Sequence, residues 1–138
     1  MKIQVIADPA PEDRAAIRAG LVEYNAAHVP DISVHPLAIA LKDEAGAITG
    51  GLWAVAVFDW MHVELLYVPE ALRGQDLGTR LLAQAEQIAR ERGLIGMWLD
   101  TFSFQARGFY EKQGFTCAGE IEDHPRGGAR YFMKKTFA

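Results

Sequence analysis

The sequence contains few residues that could form a disulfide bond or bind a metal ion. Its 138 residues include a single cysteine, Cys117, which excludes an intrachain disulfide and a cysteine-based metal cage. The four histidines do not pair at the spacing of metal ligands, which argues against a zinc site; they are His28, His35, His62 and His124. We therefore expect no metal cofactor.

The chain also lacks a basic excess and a long apolar run. The chain contains 14 Lys and Arg and 18 Asp and Glu, which gives a formal net charge of -4. This charge disfavours broad nucleic-acid binding, because phosphates attract a basic protein surface. No stretch approaches the roughly 18 uncharged apolar residues of a membrane span. The acidic, proline-containing segment at 8–13 follows too early for the apolar region of a signal peptide. These absences predict a cytoplasmic protein with neither nucleic acid nor membrane as a partner.

The hydrophobic pattern predicts an α/β fold in one domain spanning residues 1–138. The order of the elements indicates a mixed, mostly antiparallel sheet of six to seven strands flanked by helices, with one helix crossing over between two parallel strands. The predicted strands are 2–7, 35–43, 51–60, 62–68, 96–101, 115–123 and 129–137, and the predicted helices run from 8–13 to Pro30, over 78–92 and over 105–114.

The turn "RGQDLGT" (73–79) joins an apolar strand to an amphipathic helix. Free backbone N–H groups at a helix start attract phosphate. The turn is not a P-loop, because Gly78-Thr79-Arg80 has no lysine before its hydroxyl residue, and Asp76 breaks the dinucleotide fingerprint. Since glycine beside a helix start often serves the turn alone, the pattern by itself leaves phosphate binding and a plain turn about equally open.

Two longer segments carry a more specific signal. The stretch "YVPEALRGQDLGTRLL" resembles the acyl-CoA-binding segment of the GNAT superfamily of N-acetyltransferases, whose usual form is Arg/Gln-x-x-Gly-x-Gly/Ala, and "QARGFYEKQGF" resembles a later motif of the same superfamily. The two motifs occur in the right order, about thirty residues apart, and the order of strands and helices matches over nearly the whole chain. The resemblance implies an acetyl-CoA-dependent N-acetyltransferase in which an amine attacks the thioester directly.

The resemblance also implies a cofactor site. Two parallel central strands, "ELLYV" and "MWLDT", are expected to splay apart and to hold the pantetheine arm through main-chain groups of Leu66 and Val68. Ser103 stands where the superfamily often has an asparagine that binds the arm. Asp76 replaces the usual first turn glycine; it could cap the helix, but its charge should weaken binding of the diphosphate. The turn residues expected to hold that diphosphate are Arg73, Gly74, Gln75, Asp76, Leu77, Gly78 and Thr79.

Acetyl transfer to an amine also requires a base and an acid. Glu64 is the candidate base because a carboxylate in an apolar strand requires an explanation; His62, Asp100 and water are alternatives, and an exposed edge position or a structural ion pair would also explain Glu64. Tyr110 stands where many members of the superfamily carry the tyrosine that protonates the departing sulfur. It could instead be a core tyrosine with a locally bonded hydroxyl.

The acceptor is expected to be the primary amine of a small molecule or peptide. Segments expected to form its walls are the end of the first helix (Tyr24, Asn25, His28), 58–62 and 100–104. Two other functions remain open. The chain could be a catalytically inactive CoA-binding sensor, or a protein-interaction domain whose apolar strands form a homodimer.

Overall fold

The hydrophobic periodicity of the chain sets the boundaries of its helices and strands. The computed structural model of the protein describes residues 1–30 and 33–138, which divide into the units Met1–Ser33 and Val34–Ala138. Within these residues, no helix combines the length and apolar character required to cross a membrane.

The first unit contains one helix. Helix α1 (Pro11–Ala26) has proline in its first turn, where the missing N–H costs nothing, and the Asp13 carboxylate accepts a 2.7 Å hydrogen bond from the N–H of Ala10. This confirms the predicted helix. The strand predicted over 2–7 was wrong, because these residues form no strand. A strand requires a neighbour for its backbone hydrogen bonds, and none of the described residues of this unit forms one.

The elements of the second unit are β1 (Val34–Lys42), β2 (Ile48–Val57), β3 (Trp60–Tyr67), α2 (Leu77–Glu91), β4 (Gly96–Phe102), α3 (Arg107–Lys112), β5 (Thr116–Glu122) and β6 (Ala129–Thr136). The six strands form one sheet in the order β1-β2-β3-β4-β6-β5. Strands β1, β2 and β3 form the predicted antiparallel meander, and β3 and β4 form the predicted parallel pair, with α2 crossing between them. A mixed, mostly antiparallel sheet is therefore confirmed.

The core lies between α2 and one face of the sheet. The apolar residues of α2 recur at helical spacing and come together on one side of the helix. They pack against Met61, Met97, Leu99 and Met133, which are almost completely buried. The buried residues of α2 are Leu81, Leu82, Ala85 and Ala89.

The parallel pair separates soon after it begins. Strands β3 and β4 pair from 60 opposite 96 only as far as His62 opposite Trp98. Beyond this point β3 continues beside β2 as far as Tyr67, and β4 continues beside β6 as far as Phe102. A gap therefore opens inside the sheet between two strands that keep their other neighbours.

A β-bulge lies where the gap opens. Trp53 of β2 is opposite Leu65, whereas the next residue, Ala54, is opposite Val63. Glu64 is therefore the extra residue of β3, outside the regular ladder. Because side chains alternate along a strand, this one residue changes which side chains of β3 reach each face.

Gly96, at the start of β4, should not tolerate a side chain. A Cβ atom there would lie 2.5 Å from the carbonyl oxygen of Lys135 and 2.6 Å from the ring of Trp60. We expect Gly96→Ala to lower the free energy of unfolding in urea by about 1–3 kcal/mol, since the backbone must shift to relieve the overlap. The matched control is Gly108→Ala in α3, where a Cβ meets no atom within 4 Å. Equal free energies of unfolding for the two variants would contradict this account.

Candidate functional site

The turn between β3 and α2 lines an open cavity of about 500 Å³. Six of the seven predicted diphosphate-binding residues border it, and Gln75 does not. Helix α3 supplies part of the opposite wall, including the cationic Lys112, which was not among the predicted site residues. The residues that border this turn cavity are Val68, Leu72, Arg73, Gly74, Asp76, Leu77, Gly78, Thr79, Phe109, Lys112 and Gln113.

The turn is built around left-handed backbone. Asp76 has φ 57° and ψ 23°, and Gly74 has φ 82°. Asp76 occupies the N-cap position of α2, as predicted, but its side chain makes no capping hydrogen bond. The first N–H groups of a helix have no partner within it. With no side-chain cap from Asp76, the start of α2 retains donors suited to an anion.

The arginine of the turn bonds back to the strand before it. Arg73 donates from Nε to the carbonyl oxygen of Val68 at 3.1 Å. This bond holds the guanidinium group just past the end of β3, and both Arg73 and Val68 border the turn cavity. The cation and the last main-chain groups of β3 therefore lie together.

The start of α2 is tied to α3. Thr79 accepts a hydrogen bond at Oγ1 from the Gln113 side-chain amide at 3.2 Å. A Cβ atom on Gly78 would lie 3.1 Å from the ring of Phe109, so this glycine allows the two helices to approach closely. The two segments that carried the family resemblance thus meet in space.

A second cavity, of about 330 Å³, fills the gap between β3 and β4. It contains three predicted site residues: Glu64, Leu66 and Tyr110. Along β3 it ends at Leu66, and the turn cavity begins two residues later at Val68. The residues that border this gap cavity are Val63, Glu64, Leu65, Leu66, Leu99, Asp100, Thr101, Gln105, Ala106 and Tyr110.

Tyr110 packs into the core and also borders the gap cavity. Its ring makes edge contacts with Phe109 and Phe115, at centroid distances of 5.2 Å and 6.0 Å. Burial raises the pKa of the Tyr110 phenol, and the negative charge of Asp100 raises it further. The phenol therefore keeps its proton at neutral pH and can donate it.

His62 lies between two carboxylates where β3 and β4 separate. Its ring stacks on Trp98 with centroids 3.6 Å apart and planes 6° from parallel. Nδ1 lies 4.0 Å from Glu64 Oε1, and Nε2 lies 4.0 Å from Asp100 Oδ2. Burial lowers the pKa of the His62 imidazole, outweighing the two carboxylates, which raise it. His62 is therefore neutral at neutral pH.

Asp100 is held by an arginine that sequence reasoning missed. Arg130 of β6 donates from Nε to Oδ1 at 3.0 Å, and its Nη2 lies 2.9 Å from Oδ2. These bonds to Asp100 raise the pKa of the Arg130 guanidinium. The two residues are 30 positions apart, and only the register that places Arg130 opposite Phe102 on β4 brings them together.

Ser103 borders neither the turn cavity nor the gap cavity. Its Oγ accepts a 3.0 Å hydrogen bond from the N–H of Ala129, and its own N–H donates to the carbonyl oxygen of Ala129 at 2.8 Å. The hydroxyl group thus secures the start of β6 to the end of β4.

Aromatic rings surround the end of β4, one of the segments predicted to contact the acceptor. Phe102 and Phe104 are stacked with centroids 5.5 Å apart, and His124 meets Phe102 edge-on at 5.3 Å. In the first unit, the rings of Tyr24 and His28 lie 4.6 Å apart.

Metal ligands are dispersed in the part of the chain that the structure describes. There, no group of three or more His, Cys, Asp or Glu is placed to hold a metal ion. Cys117 is exposed on β5, with its sulfur 3.4 Å from the carbonyl oxygen of Gly119.

Comparison with known proteins agrees with this geometry. A family model described as "Acetyltransferase (GNAT) family" matches residues 5–115. The chain is 38% identical to the acetyltransferase Atu2258 of Agrobacterium fabrum over 126 residues, which are 91% of this chain and 92% of the relative. It is 43% identical to the blasticidin-S acetyltransferase of Streptomyces morookaense over 93 residues, covering 67% of this chain and 68% of that protein.

Solved structures share the fold. A crystal structure from Agrobacterium tumefaciens superposes with a TM-score of 0.94 at 36% identity, covering 99% of this chain and 100% of the other. A structure from Bacillus anthracis that contains acetyl coenzyme A has a TM-score of 0.56 and 25% identity, covering 67% of this chain and 57% of the other. Together with the family match, these similarities show that the chain belongs to the acetyltransferase (GNAT) family.

Proposed function

We propose that the protein is an acetyl-CoA-dependent N-acetyltransferase that moves an acetyl group to a primary amine of a small molecule or peptide. The observation that carries this proposal is the gap between β3 and β4, which opens at the Glu64 bulge and is bordered by Tyr110. The turn cavity follows it along β3. One cavity suits a thioester and the other suits a diphosphate.

In this proposal the diphosphate binds to the turn. The N–H groups of residues 73–79 and the positive end of α2 attract it, and Arg73 and Lys112 add two cations. Asp76 opposes binding. At about 6 Å and an effective dielectric constant near 20, its repulsion of one negative charge is roughly 3 kcal/mol. The cations offset part of this repulsion.

The pantetheine arm occupies the gap. Beyond His62, β4 no longer pairs with β3, so alternate main-chain groups of β3 face the gap without a strand partner. The amide groups of the arm can pair with these groups, and we assign the contacts to Leu66 and Val68. The same main-chain groups would polarise the thioester carbonyl.

Glu64 is proposed as the base. A lysine-like amine with a pKa near 10.4 is neutral only about once in 2,500 at pH 7, so removing its proton is worth roughly 4.6 kcal/mol. Asp100 is less suited to accept the proton because it already accepts two bonds from Arg130. In the described part of the chain Glu64 has no arginine partner of this kind; it borders the gap cavity, and Nδ1 of the neutral His62 lies 4.0 Å from its Oε1.

Tyr110 is proposed as the acid. After Glu64 has taken one proton from the ammonium group, the amine nitrogen attacks the thioester carbon and the C–S bond breaks as the adduct collapses. The thiolate takes the phenol proton, and the remaining proton that the nitrogen loses returns to the Tyr110 oxygen as the amide forms. Proton transfer from a phenol with a pKa near 10 to a thiolate near 8.5 is uphill by about 2 kcal/mol. The raised pKa of Tyr110 adds to this cost, so the transfer must accompany departure of the sulfur.

An inactive CoA-binding module is the second candidate. It is favoured by the charge of Asp76 in the turn and by Ser103, whose hydroxyl is bonded to Ala129. This candidate predicts cofactor binding without turnover of any amine.

Acetyl-CoA should stabilise the protein. At 100 times its dissociation constant it should raise the free energy of unfolding by about 2.7 kcal/mol, measured as a thermal shift.

Asp76→Gly should lower the dissociation constant of acetyl-CoA several-fold in calorimetry, because the change removes a negative charge and glycine readily adopts the φ of 57°. The matched control is Asp123→Gly, which changes another aspartate of positive φ and should leave the dissociation constant unchanged. No stabilisation by acetyl-CoA would overturn the proposed function.

Tyr110→Phe should reduce kcat by about 10²–10⁴-fold, the usual contribution of general acid catalysis. The dissociation constant of acetyl-CoA should change little, because the ring and its contacts with Phe109 and Phe115 remain. Tyr131→Phe is the control, since Tyr131 borders neither cavity. An unchanged kcat in Tyr110→Phe would rule out the acid role.

His62 should make stability depend on pH. Burial lowers its pKa below the ordinary value of 6.5, so between its folded pKa and 6.5 the unfolded chain binds more protons than the folded protein. Stability should therefore fall as the pH decreases through this window. We expect the melting temperature to fall less in His62→Gln than in the parent between about pH 7 and 5.5. An equal fall in both proteins would contradict a neutral His62.

A further inference from the structure

A third cavity, of about 320 Å³, lies on the face of the sheet opposite α2. Its walls come from two cross-strand rows. Ala38, Trp53 and Leu65 form one row, and Ala40, Gly51 and Tyr67 form the other. Trp53 is on this face because its neighbours Leu52 and Ala54 are buried in the core on the other.

The sizes of the side chains create the concavity. Ala38, Ala40 and Gly51 form a low floor, and the larger Trp53 and Tyr67 border it. A Cβ atom on Gly51 would collide with the carbonyl oxygen of Ile39, and its φ of 137° also favours glycine.

The cavity has an apolar character. Among the residues that the structure describes, no charged one borders it, and its polar side-chain groups are the hydroxyl of Tyr67 and the indole N–H of Trp53. Trp53, Leu65 and Tyr67 are 40%, 66% and 55% exposed, which is unusual for three large apolar side chains together. Its volume is at the lower end of the range for small-molecule sites.

Leu65 connects this cavity to the proposed reaction site. It borders both the apolar cavity and the gap cavity. The bulge gives Leu65 this position. Glu64, the extra residue and the proposed base, shifts the register so that the next residue, Leu65, lies opposite Trp53. A molecule whose nitrogen lies at Glu64 can therefore extend over Leu65 into the apolar cavity.

We propose that this cavity binds an apolar arm of the acceptor, so that the substrate is a primary amine with an alkyl or aryl chain. This proposal rests on the proposed function. The distribution of charge supports this proposal. Glu64 and Asp100 border the gap cavity, where the ammonium group of the acceptor would lie. No carboxylate of the described residues borders the apolar cavity, so a second cationic group would find no partner there. The ammonium group gives one proton to Glu64, and the amine nitrogen forms the new C–N bond as the C–S bond breaks. The thiolate leaves with the proton of Tyr110, and the second proton of the nitrogen restores the Tyr110 phenol as the amide forms.

The first experiment measures acetylation of straight-chain primary amines from ethylamine to octylamine. We expect kcat/KM to rise about three- to fourfold per methylene until the cavity is filled, mainly through KM. Spermidine, of similar length but with additional charges, should be a poorer substrate than heptylamine. A kcat/KM that does not depend on chain length, or that favours spermidine, would overturn the proposal.

Ala38→Phe tests the cavity itself, because the larger side chain fills its floor. We expect the ratio of kcat/KM for octylamine to that for ethylamine to fall at least tenfold. In the parent protein, octylamine bound beside Trp53 should change the tryptophan fluorescence, and this change should be lost in Ala38→Phe. The matched control is Ala118→Phe, an equal change at an exposed position of β5, which should keep the ratio of the parent. An unchanged ratio in Ala38→Phe would overturn the proposal.

Two further measurements separate the remaining outcomes. The acetyl-CoA thermal shift and the acetylation of ethylamine report on the proposed function, whereas chain-length dependence reports on the cavity. Without acetylation of any amine, both proposals fail; with acetylation that ignores chain length, only this one fails. If sedimentation shows a dimer that Ala38→Phe dissociates without changing amine selectivity, a second copy of the chain occupies the face and the proposal is overturned.

Discussion

The separation of β3 from β4 is the constraint on which the candidate site depends. The two strands pair at three positions and then part at His62 and Trp98, while each keeps its other neighbour in the sheet. Main-chain groups that lose a strand partner must find another partner or remain in water, because a buried unpaired group costs about 1–3 kcal/mol. The open gap keeps these groups accessible, and a ligand rich in amides could replace the water.

The charged side chains around the gap differ in their ion-pair partners. Two carboxylates, Glu64 and Asp100, lie on either side of His62, but only Asp100 is held by Arg130. The bidentate pair neutralises Asp100 and fixes it, whereas Glu64 has no arginine partner of this kind among the described residues. Stacking on Trp98 buries His62 and keeps it neutral, so it does not cancel the remaining negative charge.

Features encoded by local pattern could be predicted from the sequence. The spacing of Leu81, Leu82 and Ala85 predicted α2, and the turn before it was located from its arginine and glycines. Features that depend on register between distant strands could not be predicted. No local pattern reveals that Glu64 is a bulge residue or that Arg130 reaches Asp100.

The wrong strand over 2–7 has a related cause. Alternating β-branched residues favour an extended chain, but a strand exists only where a neighbour completes its hydrogen bonds. The β-propensity of a segment depends on its own residues, whereas strand pairing depends on residues elsewhere in the chain. Another non-local feature is the bond of the Ser103 hydroxyl to Ala129 across the sheet, which the sequence did not reveal; the contact of Ser103 with the cofactor stays a prediction.

A single extra residue links the two proposed halves of the reaction. Without the bulge, β3 would keep strict alternation, and Leu65 would change faces relative to His62. With it, Glu64 borders the gap and Leu65 borders both the gap and the apolar cavity. The register shift that positions the proposed base thus also places an apolar surface beside it. The position of the proposed base and the proposed preference for an apolar acceptor therefore depend on the same change in strand pairing.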